Sequence, residues 1–257
     1  SFANSSHERA AAELVRSELP DAFVSVSTEV LPTIRFYNRV STTVLGAFVG
    51  PVLRRYLQAL TARLADGGFS GVLLIMQSSG GVGLPEVIAR NPATTLLSGP
   101  AAGPHAGLAC TTPLGKKSCL VVDMGGTSFD ASLVKDGEVG LKREGEIDRL
   151  RIALPMLDIV TIGAGGGSIG WLDAGGLLRM GPQSAGARPG PACYGRGGEL
   201  PACTDADLVL GYLDPDFFAG GRLKLEVARA RSAIETHLAK PLGLSIEEAA
   251  AGMYRVI

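Results

Sequence analysis

Histidine is scarce in this chain, three in 257 residues, and the four cysteines (Cys110, Cys119, Cys193, Cys203) contain no C-x-x-C pair. A zinc site built on nitrogen and sulfur ligands is therefore not expected. Cys193 and Cys203 are close enough in sequence to meet across a loop, but two free thiols are the expectation for a cytosolic chain. No run of lysine and arginine occurs and the formal charge is −1, which argues against a nucleic-acid surface, where affinity depends on clustered cations. No apolar stretch approaches the roughly 18 to 20 residues that span a bilayer, and Ser1-Phe2-Ala3-Asn4 does not open as a signal peptide. The expectation is a soluble, cytoplasmic protein with no membrane or nucleic-acid partner. The Walker pattern G-x-x-x-x-G-K-[ST] is absent, and no repeat with a period of 20 to 50 residues is present.

What is abundant is apolar content, 46%, and glycine, 35 residues against an average share of about 7%. The first describes a well-packed core. The glycines gather between positions 163 and 221, which predicts a turn-rich segment there. Both ends of the sequence look cut from something longer, because Ser1 stands directly before a helix and Ile257 falls inside one.

The most informative block is Asp123-Met124-Gly125-Gly126-Thr127-Ser128-Phe129-Asp130. It follows the apolar run Cys119-Leu120-Val121-Val122 and leads into Ala131-Ser132-Leu133-Val134, so it reads as strand, glycine turn, strand. Gly125 and Gly126 let the backbone approach a ligand with no Cβ in the way, and their amides can face anionic oxygens. Thr127 and Ser128 add hydroxyls. Asp123, at a strand end, is placed to carry a hydrated Mg²⁺, which prefers one or two carboxylates plus water and phosphate oxygens. Asp130 can do the same or orient an attacking water. The same residues also suit a plain β-hairpin turn.

Three further candidates carry competing readings. Gly165, Gly166 and Gly167 can bind a phosphate or carboxylate through exposed amides, or merely allow a sharp reversal. Asp158 can face the same cleft, or serve as a strand-entry turn. Arg188 and Arg196 bracket a Pro-Gly-Pro-Ala-Cys-Tyr-Gly loop, where a guanidinium grips anions well, but a solvated arginine is the commoner case.

Along the chain, helices are predicted from an N-cap at Ser5 or Ser6 to about residue 18, from 38 to 64 with a kink before Pro51, from 84 to 89, from 98 to 109, from about 204 to 210, from 226 to 238 and from 245 to 257. Strands are predicted at 23–27, at 71–76 as a buried parallel strand, at 119–123, 129–135, 138–143 and 159–162, with two short ones near Trp171 and Leu177. The domain expectation is a first lobe over 1–97, a connecting helix and loop over 98–117, and a second lobe over 118–257. The small residues Gly99, Ala101, Ala102, Gly103, Ala106 and Gly107 suit either a lobe crossing or a tightly packed core helix.

A helix of small residues followed by strand, D-x-G-G-T and hairpin resembles the actin-like ATPase superfamily. More specifically, the chain resembles the hydantoinase A/5-oxoprolinase family and the related ketone carboxylase subunits. The residues that carry this are Leu74-Ile75-Met76-Gln77-Ser78-Ser79-Gly80-Gly81, Leu97-Ser98-Gly99-Pro100-Ala101-Ala102-Gly103, Asp123 to Ser128, Ile162 to Ile169, Gly181 to Ala187, Pro189 to Gly198 and Thr204-Asp205-Ala206-Asp207. Two departures stand within these blocks: Phe129 where the family commonly has Thr, and Asp207 where Asn is usual.

The resemblance implies an α/β fold of actin-like, ribonuclease H-like lobes, mixed sheets flanked by helices and incomplete at both ends. It implies ATP with Mg²⁺ or Mn²⁺ as cofactors, a small cyclic amide as substrate, and activation of the amide oxygen by phosphorylation before ring opening. A hydantoinase B-like partner subunit and an oligomeric assembly are also implied. In that reading Asp123, Asp130 and Asp158 are catalytic, and Gly125, Gly126, Thr127, Ser128 and the triple glycine hold the nucleotide. Two nucleotide elements of the family, a first phosphate loop and an adenosine loop, would lie outside the sequence, so weak or absent hydrolysis by this piece alone is expected. The alternatives are a subunit of an ATP-dependent ketone carboxylase and a non-catalytic nucleotide-binding assembly module.

Overall fold

The structure, a computed structural model, describes residues 2–257 and divides into two compact units: residues 1–121 with 132–159, and residues 122–131 with 160–257. The stretch 98–117, expected to connect two lobes, lies wholly in the first unit.

The first unit is built on helices α1 (Ser6–Glu18), α2 (Ser27–Val30) and α3 (Phe36–Asp66). The residues expected to form a strand at 23–27 do not. Ser27 Oγ and the Thr28 amide both donate to the Glu8 carboxylate (2.7 and 3.2 Å), which starts a helical turn instead. The alternation there is met by packing on α3, where Gly50 lies against the Phe23 ring. Helix α3 runs through Pro51 and presents Ser41, Thr42 and Leu45 inward. Ser41 Oγ donates to the Arg151 carbonyl (2.8 Å), and Thr42 Oγ1 accepts from the Ala153 amide (3.0 Å). Leu45, Ile152 and Met156 form a small core around them, and each buried side chain of this size contributes about 1.5–3 kcal/mol.

Strands β1 (Ile75–Met76) and β2 (Val82–Gly83) pair antiparallel and precede α4 (Pro85–Arg90). The expected parallel strand over 71–76 is thus a correction: only its last two residues are extended in a ladder, and Val72 (71% exposed) and Leu74 (49%) face outward. An apolar run marks a strand only when neighbours flank it on both sides, and here β2 is its one ladder partner among the described residues. The small-residue helix begins as a 3₁₀ turn and becomes α5 (Gly103–Thr111), with Gly107 so close to the Val121 side chain that no Cβ would fit.

Strands β3 (Cys119–Met124) and β4 (Phe129–Lys135) form the expected hairpin, and β5 (Glu138–Val139) also pairs with β4. Short ladders follow from β6 (Leu141–Lys142), β7 (Gly145–Ile147), β8 (Leu150–Ile152) and β9 (Met156–Leu157), paired β6 with β9 and β7 with β8. β10 (Ile159–Ile162) lies beside β4, giving the order β10-β4-β3.

In the second unit, β11 (Ser168–Leu172) and β12 (Leu178–Ser184) pair antiparallel, and α6 (Cys203–Val209), α7 (Val227–Ile234), α8 (Lys240–Leu242) and α9 (Ile246–Val256) complete it. A π-helical turn at Glu235–Ala239 links α7 to α8. Ala206, Ile234, Leu238, Ala249, Ala250 and Met253 are fully buried together, with Leu172, Leu178 and Met180 of the ladder packed against them. Ser245 caps α9 and exchanges bonds with Glu248, so both orphan donors at that helix start are satisfied. No helix among the described residues is long and apolar enough to cross a membrane.

Candidate active site: a glycine turn on a glycine shelf

The hairpin turn closes through the Gly125 amide, which donates to the Ser128 carbonyl (2.8 Å). The next three amides, of Gly126, Thr127 and Ser128, find no acceptor among the described residues. Gly126 and Thr127 are exposed, and a Cβ on Gly126 would meet nothing within 4 Å. Asp123 is also exposed and has no partner among the described residues. Asp130 is held: its Oδ1 accepts from Thr161 Oγ1 (2.5 Å) and its Oδ2 from Ser128 Oγ (3.4 Å).

The triple glycine lies directly under this turn. The Gly166 amide donates to the Gly125 carbonyl (3.0 Å) and the Gly167 amide to the Gly126 carbonyl (2.6 Å), while the Gly165 amide donates to Ser168 Oγ (2.9 Å). The expectation that these three amides face an anion is corrected here, because all three are spent within the chain. Their chemistry is different: they take the carbonyl side of the turn and leave its amide side open. Side chains are excluded for a geometric reason. A Cβ on Gly165 would stand 2.7 Å from the Thr127 nitrogen and 2.8 Å from the Gly125 carbonyl oxygen, and one on Gly167 would stand 2.7 Å from the Gly126 oxygen.

The shelf is anchored in turn by residues that sequence reading left out. Thr204 donates through both its amide and its hydroxyl to the Gly166 carbonyl, each at 2.8 Å. Ser184 Oγ reaches the Gly126 carbonyl and Thr127 Oγ1, each at 3.4 Å. Both lie in blocks that carried the family resemblance, which is the signal that could have found them.

Beside Thr204, Asp205 is fully buried and accepts three backbone amides: Ala192 (3.1 Å), Cys193 (2.7 Å) and Ala202 (2.8 Å). The Ala202 bond caps α6, and the other two bonds fasten the Pro-Gly-Pro-Ala-Cys-Tyr-Gly loop. Cys193 is buried, and desolvation followed by the nearby Asp205 charge pushes its thiol pKa far up. Burial does the same to Cys203, to about 12, so neither is a thiolate nucleophile near neutral pH. Arg196 lies over the Tyr194 ring (5.8 Å), and Arg188 is exposed.

Asp158 belongs to the first unit, where it pairs with Lys142 (2.5 Å). Among the described residues no three His, Cys, Asp or Glu side chains gather to enclose a metal. The donor set at the turn, one open carboxylate beside free amides and hydroxyls, suits a largely hydrated ion shared with ligand oxygens.

The family model for hydantoinase/oxoprolinase matches residues 39–257. The chain belongs to the hydantoinase/oxoprolinase family. It is 45% identical to caprolactamase subunit alpha of Pseudomonas jessenii across all of this chain and 37% of that protein. It is 39% identical to a 5-oxoprolinase of Saccharomyces cerevisiae over 82% of this chain and 16% of that one. Among solved structures, nucleotide-free acetone carboxylase superposes with a TM-score of 0.88 at 33% identity, over 99% of this chain and 36% of that chain. The hydantoinase/oxoprolinase chain described here thus spans little more than a third of the length of the caprolactamase subunit and the carboxylase chain it matches. The fold is of the actin-like ATPase type, as the resemblance implied.

Proposed function

We propose that this chain is the phosphate-binding part of an ATP-dependent cyclic amide hydrolase. The observation that carries the reading is the set of three free amides at Gly126, Thr127 and Ser128, on a turn whose Gly125, Gly126 and Ser128 carbonyls are already occupied. Such a turn offers three main-chain donors against the single open carbonyl of Thr127, and an anion is what donors held in place bind best. The Thr127 and Ser128 hydroxyls extend the cradle. Asp123, open and unpaired, would carry Mg²⁺ or Mn²⁺. When bound, that ion neutralises charge on the phosphates. Asp130, fixed by Thr161 and Ser128, holds its carboxylate still beside the phosphates, where it orients water or supports the ion.

The work of these residues is positioning and charge stabilisation. Transfer of the ATP γ-phosphoryl group to the amide oxygen, with ADP as leaving group, would turn a poor electrophile into a good one; water would then add at that carbon, the C–N bond would break with the nitrogen taking a proton, and inorganic phosphate would leave. The similarity to caprolactamase and 5-oxoprolinase supports this choice of substrate class. A ketone carboxylase subunit is the second reading, favoured by the higher structural similarity to acetone carboxylase. Several relatives are named as subunits, which supports a partner subunit of the hydantoinase B kind and an oligomeric enzyme. Asp158, which pairs with Lys142, is retained as a further candidate catalytic carboxylate.

The test is calorimetric titration of Mg-ATP into the full-length protein, together with ATP turnover against hydantoins, 5-oxoproline, lactams, and ketones with bicarbonate. Asp123→Ala is expected to lower turnover by about 100-fold or more. Absence of nucleotide binding, or unchanged turnover in that variant, overturns the assignment.

A further inference from the structure

Three arginines of the first unit, Arg16 near the end of α1, Arg54 in α3 and Arg90 at the end of α4, line one pocket of about 480 Å³. All three are exposed, and none of their guanidinium groups has a carboxylate partner or a hydrogen bond among the described residues. The only acid lining the pocket is Glu29. A chain with a formal charge of −1 has thus placed three guanidiniums against one carboxylate in one recess. Favourable interaction with a helix C-terminus accounts for the positions of Arg16 and Arg90 in their own helices. It does not account for Arg54, in mid-helix, or for the convergence of all three.

The recess is built rather than incidental. The Phe23 ring sits on α3 at Gly50, where any Cβ would collide with it. One helical turn further on, Arg54 lies over the same ring at 4.6 Å, so its guanidinium is held by a cation–π contact and its N–H edge is left unsatisfied. An adjoining recess of about 600 Å³ shares Arg54, Ala89 and Arg90 and adds Leu57, Ala62 and Pro85, with Glu86 at its wall. Both volumes fall within the range of about 300–1,000 Å³ typical of small-ligand sites.

We infer that this recess binds a small multivalent anion, with room beside it for an apolar body. Guanidinium forks match phosphate and carboxylate oxygens in pairs, and three of them against one carboxylate call for a ligand of charge −2 or more. The site is separate from the hairpin and stands whether or not the hairpin binds nucleotide.

The experiment titrates pyrophosphate and, separately, citrate into the full-length protein at 0.15 M salt, with a non-hydrolysable ATP analogue already present at saturation to occupy the hairpin. One additional binding event is expected, weakened at least tenfold by Arg16→Gln and by Arg54→Gln. Isopentenyl pyrophosphate, which adds a five-carbon body, should bind more tightly than pyrophosphate. A preference for pyrophosphate assigns the site to phosphate compounds, and a preference for citrate assigns it to polycarboxylates. Without any substitution, the preferred anion should protect Arg16, Arg54 and Arg90 from phenylglyoxal. The inference is overturned if neither anion binds beyond the analogue, if the arginine variants bind equally well, or if the three arginines modify at the same rate with and without anion.

Discussion

Replacing Gly165 with alanine should damage the candidate site without touching any ligand. The new methyl carbon would stand 2.7 Å from the Thr127 nitrogen, 2.8 Å from the Gly125 oxygen and 2.8 Å from the Gly126 carbonyl carbon. All three are main-chain atoms of the turn, so no side chain can swing aside. Ordinary contact needs about 3.5 Å or more, and the turn must therefore retreat by roughly 0.7 Å. That movement breaks or stretches the two bonds that join Gly166 to Gly125 and Gly167 to Gly126. At a net of about 1 kcal/mol each, and with overpacking adding about 1 kcal/mol, the loss is about 3 kcal/mol. In a chain of this size that lowers Tm by at least about 6 °C. Thermal unfolding by circular dichroism reads it directly, and a nucleotide titration of the same variant should show binding weakened at least tenfold. Gly126→Ala is the control, since its Cβ meets open space and stability should stay within about 0.5 kcal/mol. If Gly165→Ala melts with the parent while binding nucleotide normally, the shelf does not hold the turn.

Other outcomes follow from the same contacts. Asp205→Ala leaves three buried amides without an acceptor and should cost about 3 kcal/mol or more in urea unfolding, with early proteolysis within residues 188–202. Asp207 has its pKa raised, chiefly by burial. A carboxyl whose folded pKa exceeds its unfolded one favours folding most below the unfolded value, and that contribution is lost as pH rises through the folded pKa. Asp207→Asn should therefore be more stable than the parent near neutral pH and lose that advantage at pH 3, as unfolding curves at both pH values would show. Cys110 is exposed while Cys193 and Cys203 are buried with raised pKa values, so a thiol reagent at pH 8 should label Cys110 in the native protein and spare the other two until urea is added.

The legible parts of this fold were those where one local signal decided the outcome. Apolar residues at three- and four-residue spacing marked α3, and strand-glycine-strand marked the hairpin with its two carboxylates. The strand expected at 23–27 failed because its period-two pattern is met by a helix surface, with Glu8, nineteen residues away, drawing Ser27 into a turn. The β7–β8 hairpin went unseen because it turns on Asp148 and Arg149, both at positive φ (47° and 67°), with no glycine to announce it. Within the site, sequence supplied the turn but misread the triple glycine. A glycine run looks the same whether its amides face a ligand or another segment of backbone, and only the partner's position distinguishes the two. Ser184 and Thr204 came into play through contacts spanning 58 and 38 residues.

Thr204 and Asp205 are consecutive, yet one grips the glycine shelf and the other grips the loop at Ala192 and Cys193. The opening turn of α6 is therefore a common pivot for two segments that never touch in sequence. Any molecule that tugs on that loop also tugs on the floor beneath the glycine turn, which gives the chain a mechanical link between the two.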